Sequence, residues 1–308
     1  MYERHNCSGF DREDNKDMKP LLFTFPGKIG DNLLRLPVTY QYCRQNFCKA
    51  DICLDSNSKI LVDLFKKQKW VNDVFLDDGV WDYSYGGQPY DFRKDEEFKR
   101  LYDKVFHLGF IANCYGQKHD FSNDYEFRNK YTSIQTAADG MPLLNTTLIS
   151  AIQSGCAIDL RNLLTEPSIH FEPRPLKNLC IHINTATPER KLESKAAILS
   201  IYDRLIDIFD KIYIIGPEND RQDNADFLNN PKTSILDDRG DLNKTVDALS
   251  ESMLIGTYGS MWALANCMKI KQVVIMNNWD KHDGKSSYYE DRWVMPENLL
   301  KTVLELKG

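Results

Sequence analysis

The sequence predicts an α/β protein with two Rossmann-like domains, each a parallel sheet covered by helices, that face each other across a cleft. Short apolar runs alternate with helical patterns along most of the chain, which is typical of parallel sheets. This alternation starts at Leu21 and again at Asn178. At 308 residues the chain is longer than most single domains. We therefore expect a loose tail over residues 1–19, a first domain over 20–172, and a second over 173–308 whose last helix can pack back.

The composition indicates a soluble protein and excludes several classes. Hydrophobic residues make up 42% and charged residues 27% of the chain, which is usual for globular proteins. A net charge of −6 does not favour a nucleic-acid partner. The absence of a long apolar run and the polar N-terminus predict a cytoplasmic protein without a transmembrane segment. None of the eight cysteines forms a C-x-x-C pair, so we expect reduced thiols rather than disulfides or a zinc site.

In the first half, the apolar run LLFTF begins a series of alternating elements. Pro37 lies within the first helical pattern and must sit near its start or at a kink. Glycine and aromatic residues at 79–88 predict a loop, and the polar stretch 111–145 predicts either a functional or a solvated insertion. Strands are predicted at 21–25, 50–56, 71–78 and 102–110, and helices at 32–45 and 58–68.

A segment with two prolines at 168–178 suits a linker between the domains. The second series follows it, and its sharpest loops come where strands end, which is where open parallel sheets bind ligands. Strands are predicted at 178–184, 211–217, 252–256 and 271–276, and helices at 194–210, 220–230, 242–252, 261–269 and 296–307.

The stretch FPGKIGDNLLRLP, residues 25–37, follows the first strand and matches neither common phosphate-binding pattern. A Walker loop requires G-x-x-x-x-G-K-[ST], and a dinucleotide fingerprint requires G-x-G-x-x-G. What remains is a tight turn in which Gly27 and Gly30 permit close approach of the backbone. Asp31 then either caps the following helix or presents a carboxylate to the cleft.

A second glycine turn follows the strand at 252–256. Gly256, Gly259 and Ser260 lead directly into a helix, and the amides at such a helix start suit an anionic phosphate group. A plain glycine turn before a buried helix is the alternative.

Two further strand ends carry charged residues. Arg190 and Lys191 follow the strand at 178–184, where they can hold a diphosphate or form a solvated basic pair. Glu218 follows the strand at 211–217, where it can accept from ribose hydroxyls or simply face solvent.

In this order, the motifs resemble those of the heptosyltransferase-type glycosyltransferases, family 9 of the GT-B fold. The resemblance spans about residues 20–305 and is strongest at 27–37 and 254–275. It implies that Asp31 is the general base, although Lys28 stands where the family motif G-D-x-G-D has its first aspartate. The late motif D-x-G-x-x-H appears as Thr257, Gly259 and Trp262, so both of its polar members are missing.

The resemblance implies inverting transfer from a nucleotide-diphosphate sugar, with no cofactor, to a glycan, a lipid-linked or another hydroxyl acceptor. No D-x-D triplet occurs in the sequence, which favours a reaction without a metal. Acceptor contacts are expected at Lys28, Trp81, Tyr83, Tyr115 and Lys118. Donor contacts are expected at Gly30, Thr185, Arg190, Lys191, Glu218, Thr257, Tyr258, Gly259, Ser260, Met261 and Trp262.

Two other functions fit the same sequence. One is a different GT-B-like enzyme, a sugar-nucleotide epimerase or a retaining transferase, which would place its carboxylates differently. The other is a non-catalytic nucleotide-binding module, which the missing polar members of the late motif would permit.

Overall fold

The described residues form two compact units, one that runs to Ser168 and one that begins at Ile169. The domain limits given above stay predictions. The tail at 1–19, the loop at 79–88 and the segment at 111–145 lie outside the described residues. A computed structural model of the chain describes residues 21–25, 29–77, 92–108, 166–183, 188–216, 222–237, 240–276 and 291–308.

The described strands of the first unit form a parallel four-stranded sheet in the order β3-β2-β1-β4. β1 and β2 are buried at every position, as their apolar sequences predict. The elements are β1 (Leu21–Phe25), α1 (Ile29–Gln45), β2 (Ala50–Leu54), a 3₁₀ helix (Ser56–Leu61), α2 (Val62–Lys66), β3 (Val71–Leu76), α3 (Phe92–Leu101) and β4 (Lys104–His107).

The described strands of the second unit form a parallel six-stranded sheet in the order β10-β9-β8-β5-β6-β7. The predicted fold class, two α/β domains with parallel sheets, is confirmed. The elements are β5 (Asn178–His182), α4 (Pro188–Leu199), α5 (Tyr202–Ile208), β6 (Ile212–Ile214), a 3₁₀ helix (Gln222–Phe227), β7 (Thr233–Ile235), α6 (Leu242–Leu249), β8 (Ser252–Gly256), α7 (Ser260–Met268), β9 (Gln272–Ile275), β10 (Asp291–Val294), a 3₁₀ helix (Pro296–Asn298) and α8 (Leu299–Lys307).

One hydrophobic cluster marks one face of the six-stranded sheet. It contains alternate residues of the central strands, such as Leu179 and Ile181 of β5, because successive side chains of a strand point to opposite faces. Residues of α4, α5 and α8 complete this cluster, so these three helices cover that face. None of the buried residues of α7 belongs to the cluster, so α7 covers the opposite face.

α1 begins three residues earlier than predicted, at Ile29, and extends over 17 residues with Pro37 inside it. Its first turn therefore already contains Gly30 and Asp31.

No helix in the described ranges combines the length and the apolar character needed to cross a bilayer.

The helix predicted at 194–210 is wrong as a single element, because it is divided between α4 and α5. α4 starts at Pro188, a residue favoured at the first helical position. Ser200 lies at the break between α4 and α5, and its hydroxyl donates to the carbonyl of Ala197 at 2.7 Å, which offers the backbone an alternative to the helix. The helix predicted at 220–230 is a 3₁₀ turn. α3, β7 and β10 were not predicted.

A polar cluster ties the edge of the first sheet together. The carboxylate of Asp51 in β2 accepts from Asn72 Nδ2 at 2.7 Å and from the Tyr102 hydroxyl at 3.1 Å. Asp51 is 7% exposed, so its charge depends on these donors. Burial and the nearby Asp51 carboxylate raise the pKa of Tyr102, which therefore remains a hydrogen-bond donor at neutral pH.

We expect Asp51→Ala to lower the free energy of unfolding by about 2 kcal/mol, because two donors lose their shared acceptor. Urea unfolding at pH 7 measures the change. Asp73→Ala is the control, since its ion pair with Lys66 joins two exposed side chains and exposed pairs contribute at most about 1 kcal/mol. Equal losses in both variants would contradict a special role for the Asp51 cluster.

Candidate functional site

The candidate site is built around the turn that joins β8 to α7. His182, the last residue of β5, pairs with Gly256, the last residue of β8. The Thr257 amide donates to the His182 carbonyl at 2.9 Å. A Cβ atom at Gly256 would lie 1.8 Å from that carbonyl oxygen, so only glycine permits this close approach. The glycine predicted to make a tight turn therefore fixes where α7 begins.

The first turn of α7 is where the sequence predicts a phosphate-binding site. Its capping residue is Gly259, which has no side chain that could accept from the amides of the first turn. The backbone there is extended, and the Ala263 amide closes the first turn on the Gly259 carbonyl at 3.1 Å. The amides and dipole of such a turn favour negative charge. The turn also lies at the carboxyl end of a central strand, where parallel sheets bind ligands.

The predicted donor residues of this turn differ in exposure. Tyr258, Gly259 and Ser260 are half-buried. Thr257, Met261 and Trp262 are buried, and Trp262 is 1% exposed. The indole of Trp262 therefore packs within the unit, and Tyr258 presents the accessible aromatic side chain of the turn.

Three aromatic rings form a cluster at this end of the sheet. The ring of Tyr258 lies 4.8 Å from that of Trp262 and 5.9 Å from that of Trp293, a residue of β10. The rings of Trp262 and Trp293 are 6.0 Å apart. Since Tyr258 and Trp293 are both half-buried, the cluster offers part of its aromatic surface beside the start of α7. Sequence reasoning did not single out Trp293, because its strand was not predicted.

His182 is the buried titratable group nearest this turn, and sequence reasoning did not single it out. It is 4% exposed, and its Nδ1 atom has no hydrogen-bond partner among the described residues. Burial lowers the pKa of His182 to about 4, because a charged imidazole would lose its hydration. The side chain is therefore neutral at physiological pH.

We expect acid to destabilise the chain through His182. The unfolded imidazole titrates near pH 6.5 and the folded one near 4, so the unfolded state binds more protons between these values. The contribution of His182 to the free energy of unfolding is fully present above about pH 6.5. It falls by about 2–3 kcal/mol by pH 4.5. Urea unfolding across this range should show a shallower fall for His182→Asn. His170→Asn, which replaces an exposed histidine outside this site, is the control.

The motif predicted at 25–37 places Gly30 and Asp31 in the first turn of α1. Because the helix begins at Ile29, Asp31 is inside that turn rather than at the capping position before it. The helix is buried over residues 32–39, directly after this turn. This position follows the carboxyl end of β1, as the sequence predicted.

A buried polar network follows within the same helix. Arg35 donates through Nη1 to Asn32 Oδ1, and Asn32 donates through Nδ2 to the Ser58 hydroxyl at 2.8 Å. Arg35 is 2% exposed, which is unusual for a guanidinium. Its position is four residues after Asp31, and this spacing places the two positions on one face of α1.

The remaining predicted residues are placed only in part. Lys191 lies half-buried in α4, and Arg190 belongs to the same helix. The other predicted site residues lie outside the described residues: Lys28, Trp81, Tyr83, Tyr115, Lys118, Thr185 and Glu218. Their roles stay predictions.

Comparison with known proteins shows a likeness in structure alone. No family model matches the sequence, and no curated protein matches it. Among solved structures, the chain is similar to ADP-heptose lipopolysaccharide heptosyltransferase II of E. coli, with a TM-score of 0.60 and 11% identity over 94% of this chain and 98% of that one.

Two further structures are similar over nearly their whole length. E. coli heptosyltransferase WaaC with ADP-2-deoxy-2-fluoro heptose gives a TM-score of 0.57 and 12% identity, over 93% of this chain and 99% of that one. A glycosyltransferase of family 9 from Veillonella parvula gives a TM-score of 0.56 and 12% identity, over 95% of this chain and 90% of that one. The resemblance to heptosyltransferase-type glycosyltransferases is therefore confirmed at the level of the fold.

Proposed function

We propose that the chain is a glycosyltransferase that moves a sugar from a nucleotide-diphosphate sugar to an acceptor hydroxyl. The observation that carries the proposal is the turn at the end of β8, where only glycine fits at position 256 and α7 starts beside the last residue of β5. An anionic group at this turn would meet the amides of the first helical turn. The similar heptosyltransferase WaaC was solved with an ADP-heptose analogue, which supports a nucleotide sugar as the donor.

The donor would be held by groups of the second unit. The start of α7 would take the diphosphate, and Lys191, with Arg190 and Thr185, would add charge and hydrogen bonds. Tyr258 and Trp293 offer aromatic surface on which a base or sugar ring can pack. Glu218 would accept from the ribose hydroxyls.

Asp31 would be the general base. Its carboxylate would take the proton from the acceptor hydroxyl while that oxygen attacks the anomeric carbon from the face opposite the leaving diphosphate. This displacement inverts the configuration of that carbon. A positive charge at Arg35, on the same face of α1, would favour the ionised form of a carboxylate at position 31. Lys28, Trp81, Tyr83, Tyr115 and Lys118 would contact the acceptor.

We further propose that the reaction needs no metal ion. The sequence contains no D-x-D triplet, and cationic side chains with a helix start can instead stabilise the negative charge of the leaving diphosphate. A cytoplasmic location, where nucleotide sugars are made, fits this proposal.

Screening against a panel of nucleotide sugars tests the proposal. ADP-, UDP-, GDP- and CDP-linked sugars are added singly, and we expect one nucleotide class to raise the melting temperature. The best donor is then incubated with candidate acceptors, and mass spectrometry identifies the product. A sugar joined to the acceptor supports the transferase, an isomerised donor indicates an epimerase, and binding of no nucleotide sugar rejects both enzymes.

A further inference from the structure

The imidazole of His182 is a buried polar group without a role in the packing described so far. It is 4% exposed, and its Nδ1 atom lacks a partner among the described residues. Buried polar atoms in folded proteins almost always have hydrogen-bond partners, and leaving one unpaired destabilises the folded chain. The unpaired Nδ1 atom of His182 therefore indicates a ligand that forms a hydrogen bond with it.

The alternation of β5 places this imidazole on the side of the sheet where α7 starts. Leu179, Ile181 and Ile183 all belong to the cluster on one face, so His182 points to the opposite face. That opposite face is the one that α7 covers. His182 is also the register partner of Gly256, and its carbonyl holds the Thr257 amide at 2.9 Å. The imidazole therefore lies on the face that α7 covers, at the end of β5 that is paired with the turn before α7.

We infer that His182 is a donor-binding residue, whose Nδ1 atom forms a hydrogen bond with a diphosphate oxygen of the nucleotide sugar at the start of α7. This inference rests on the proposed function and deepens it. A helix start supplies backbone amides but no titratable group, whereas an imidazole adds a donor that becomes charged when it takes up a proton. A dianionic diphosphate can accept hydrogen bonds both from the backbone amides and from the charged imidazole.

The binding site should therefore take up a proton with the donor. Without ligand, burial holds the pKa of His182 near 4, so the imidazole is neutral at pH 6. A diphosphate in contact with it favours the charged form and raises this pKa. By linkage, the donor must then bind more tightly as the pH falls from 7.5 to 5.5.

No carboxylate lies on β5, β6, the turn or α7, where the described titratable groups besides His182 are thiols and phenols. Burial raises the pKa of one of them, Cys180, to about 12. α6 packs on β8 and carries two charged side chains, both exposed and so directed away from the sheet. These groups are Cys180, Tyr213, Tyr258, Cys267, Lys244 and Asp247.

Isothermal titration calorimetry with ADP-glucose, UDP-glucose and GDP-mannose tests the inference. Their diphosphate diesters keep the same charge from pH 5.5 to 7.5, so any proton uptake belongs to the protein. Titrations in two buffers of different ionisation enthalpy count the protons taken up. For the sugar nucleotide that binds, we expect uptake that grows toward one proton and an affinity at least about threefold tighter at pH 5.5 than at 7.5.

The variants separate a binding role from a structural one. His182→Asn should weaken binding about tenfold or more at pH 6 and abolish the proton uptake. His170→Asn changes an exposed histidine and should leave both unchanged. If His182→Asn does not fold, ¹⁵N NMR of the wild-type ring nitrogens, with and without the sugar nucleotide, replaces it, and a changed Nδ1 resonance is the expected result.

The two negative outcomes distinguish failure of the proposed function from failure of the inference about His182. If none of the three sugar nucleotides binds the wild type, the proposed function loses its donor and the inference fails with it. If one of them binds but His182→Asn keeps the same affinity and proton uptake, or the Nδ1 resonance does not move, the inference is wrong and the proposed function stands.

Discussion

Asp31→Asn is expected to lower the rate of sugar transfer by at least about 100-fold while leaving donor affinity unchanged. A positioned general base contributes about 100- to 10,000-fold to a reaction, and asparagine has the shape of aspartate without its basicity. Asp31 is in the first turn of α1, in the first unit, whereas the proposed donor groups belong to the second. Initial rates with the donor found by screening measure the first effect, and calorimetry measures the second.

Asp55→Asn is the matched control for this substitution. Asp55 also follows a buried strand of the first unit, and its carboxylate accepts from the Asn57 amide at 2.7 Å as the cap of a 3₁₀ helix. Asparagine caps nearly as well as aspartate, so transfer should remain within about twofold of the wild-type rate. If Asp31→Asn behaves like Asp55→Asn, Asp31 serves only the first turn of its helix, and another group must be the base.

The loss of activity should also depend on pH. A carboxylate acts as a base only when it is ionised, so wild-type kcat/KM should fall as acid protonates the free enzyme. Replacing Arg35 with glutamine removes a positive charge from the face of α1 that contains position 31, and the acid limb of the profile should then move to higher pH. A merely structural role for Arg35 would lower the rate without moving that limb.

The sequence predicted the central strands well because their burial is visible in their composition. β1, β2, β5 and β8 are buried at every position, so each appears as an apolar run. β7 and β10 form the edges of the six-stranded sheet, and edge strands need fewer apolar residues. β7, for example, is the three-residue sequence TSI, exposed at its centre. Such strands become recognisable only once a neighbouring strand is in place.

The candidate site was predictable to the extent that it depends on local backbone chemistry. Gly256, Gly259 and Ser260 signal a turn before a helix whatever the rest of the chain does. His182 could not be recognised in this way, because its interest depends on a strand and a helix that come much later in the sequence. Arg35 has the same limitation. The sequence predicts that Arg35 lies in a helix, whereas its burial and its bond to Asn32, which in turn donates to Ser58, are visible only in the folded chain.

Gly256→Ala is expected to have the largest effect on stability, a loss of more than about 3 kcal/mol in the free energy of unfolding. The added Cβ would lie 1.8 Å from the carbonyl oxygen of His182 and 2.8 Å from its carbonyl carbon. Neither atom can move alone, since both belong to the backbone of the central strand β5. The ends of β5 and β8 must therefore separate, which breaks the bond from the Thr257 amide to the His182 carbonyl.

Gly240→Ala separates this contact from the general cost of replacing a glycine. Gly240 has a positive φ of 79° but no atom within 4 Å of an added Cβ, so alanine there should cost only about 1 kcal/mol of backbone strain. Urea unfolding at pH 7 compares the two variants. Because the same turn starts α7, folded Gly256→Ala should also lose donor affinity, whereas Gly240→Ala should keep it. Similar stability in the two variants would mean that β5 and β8 do not approach as closely as the turn requires, and the proposed donor site would then lose its geometric basis.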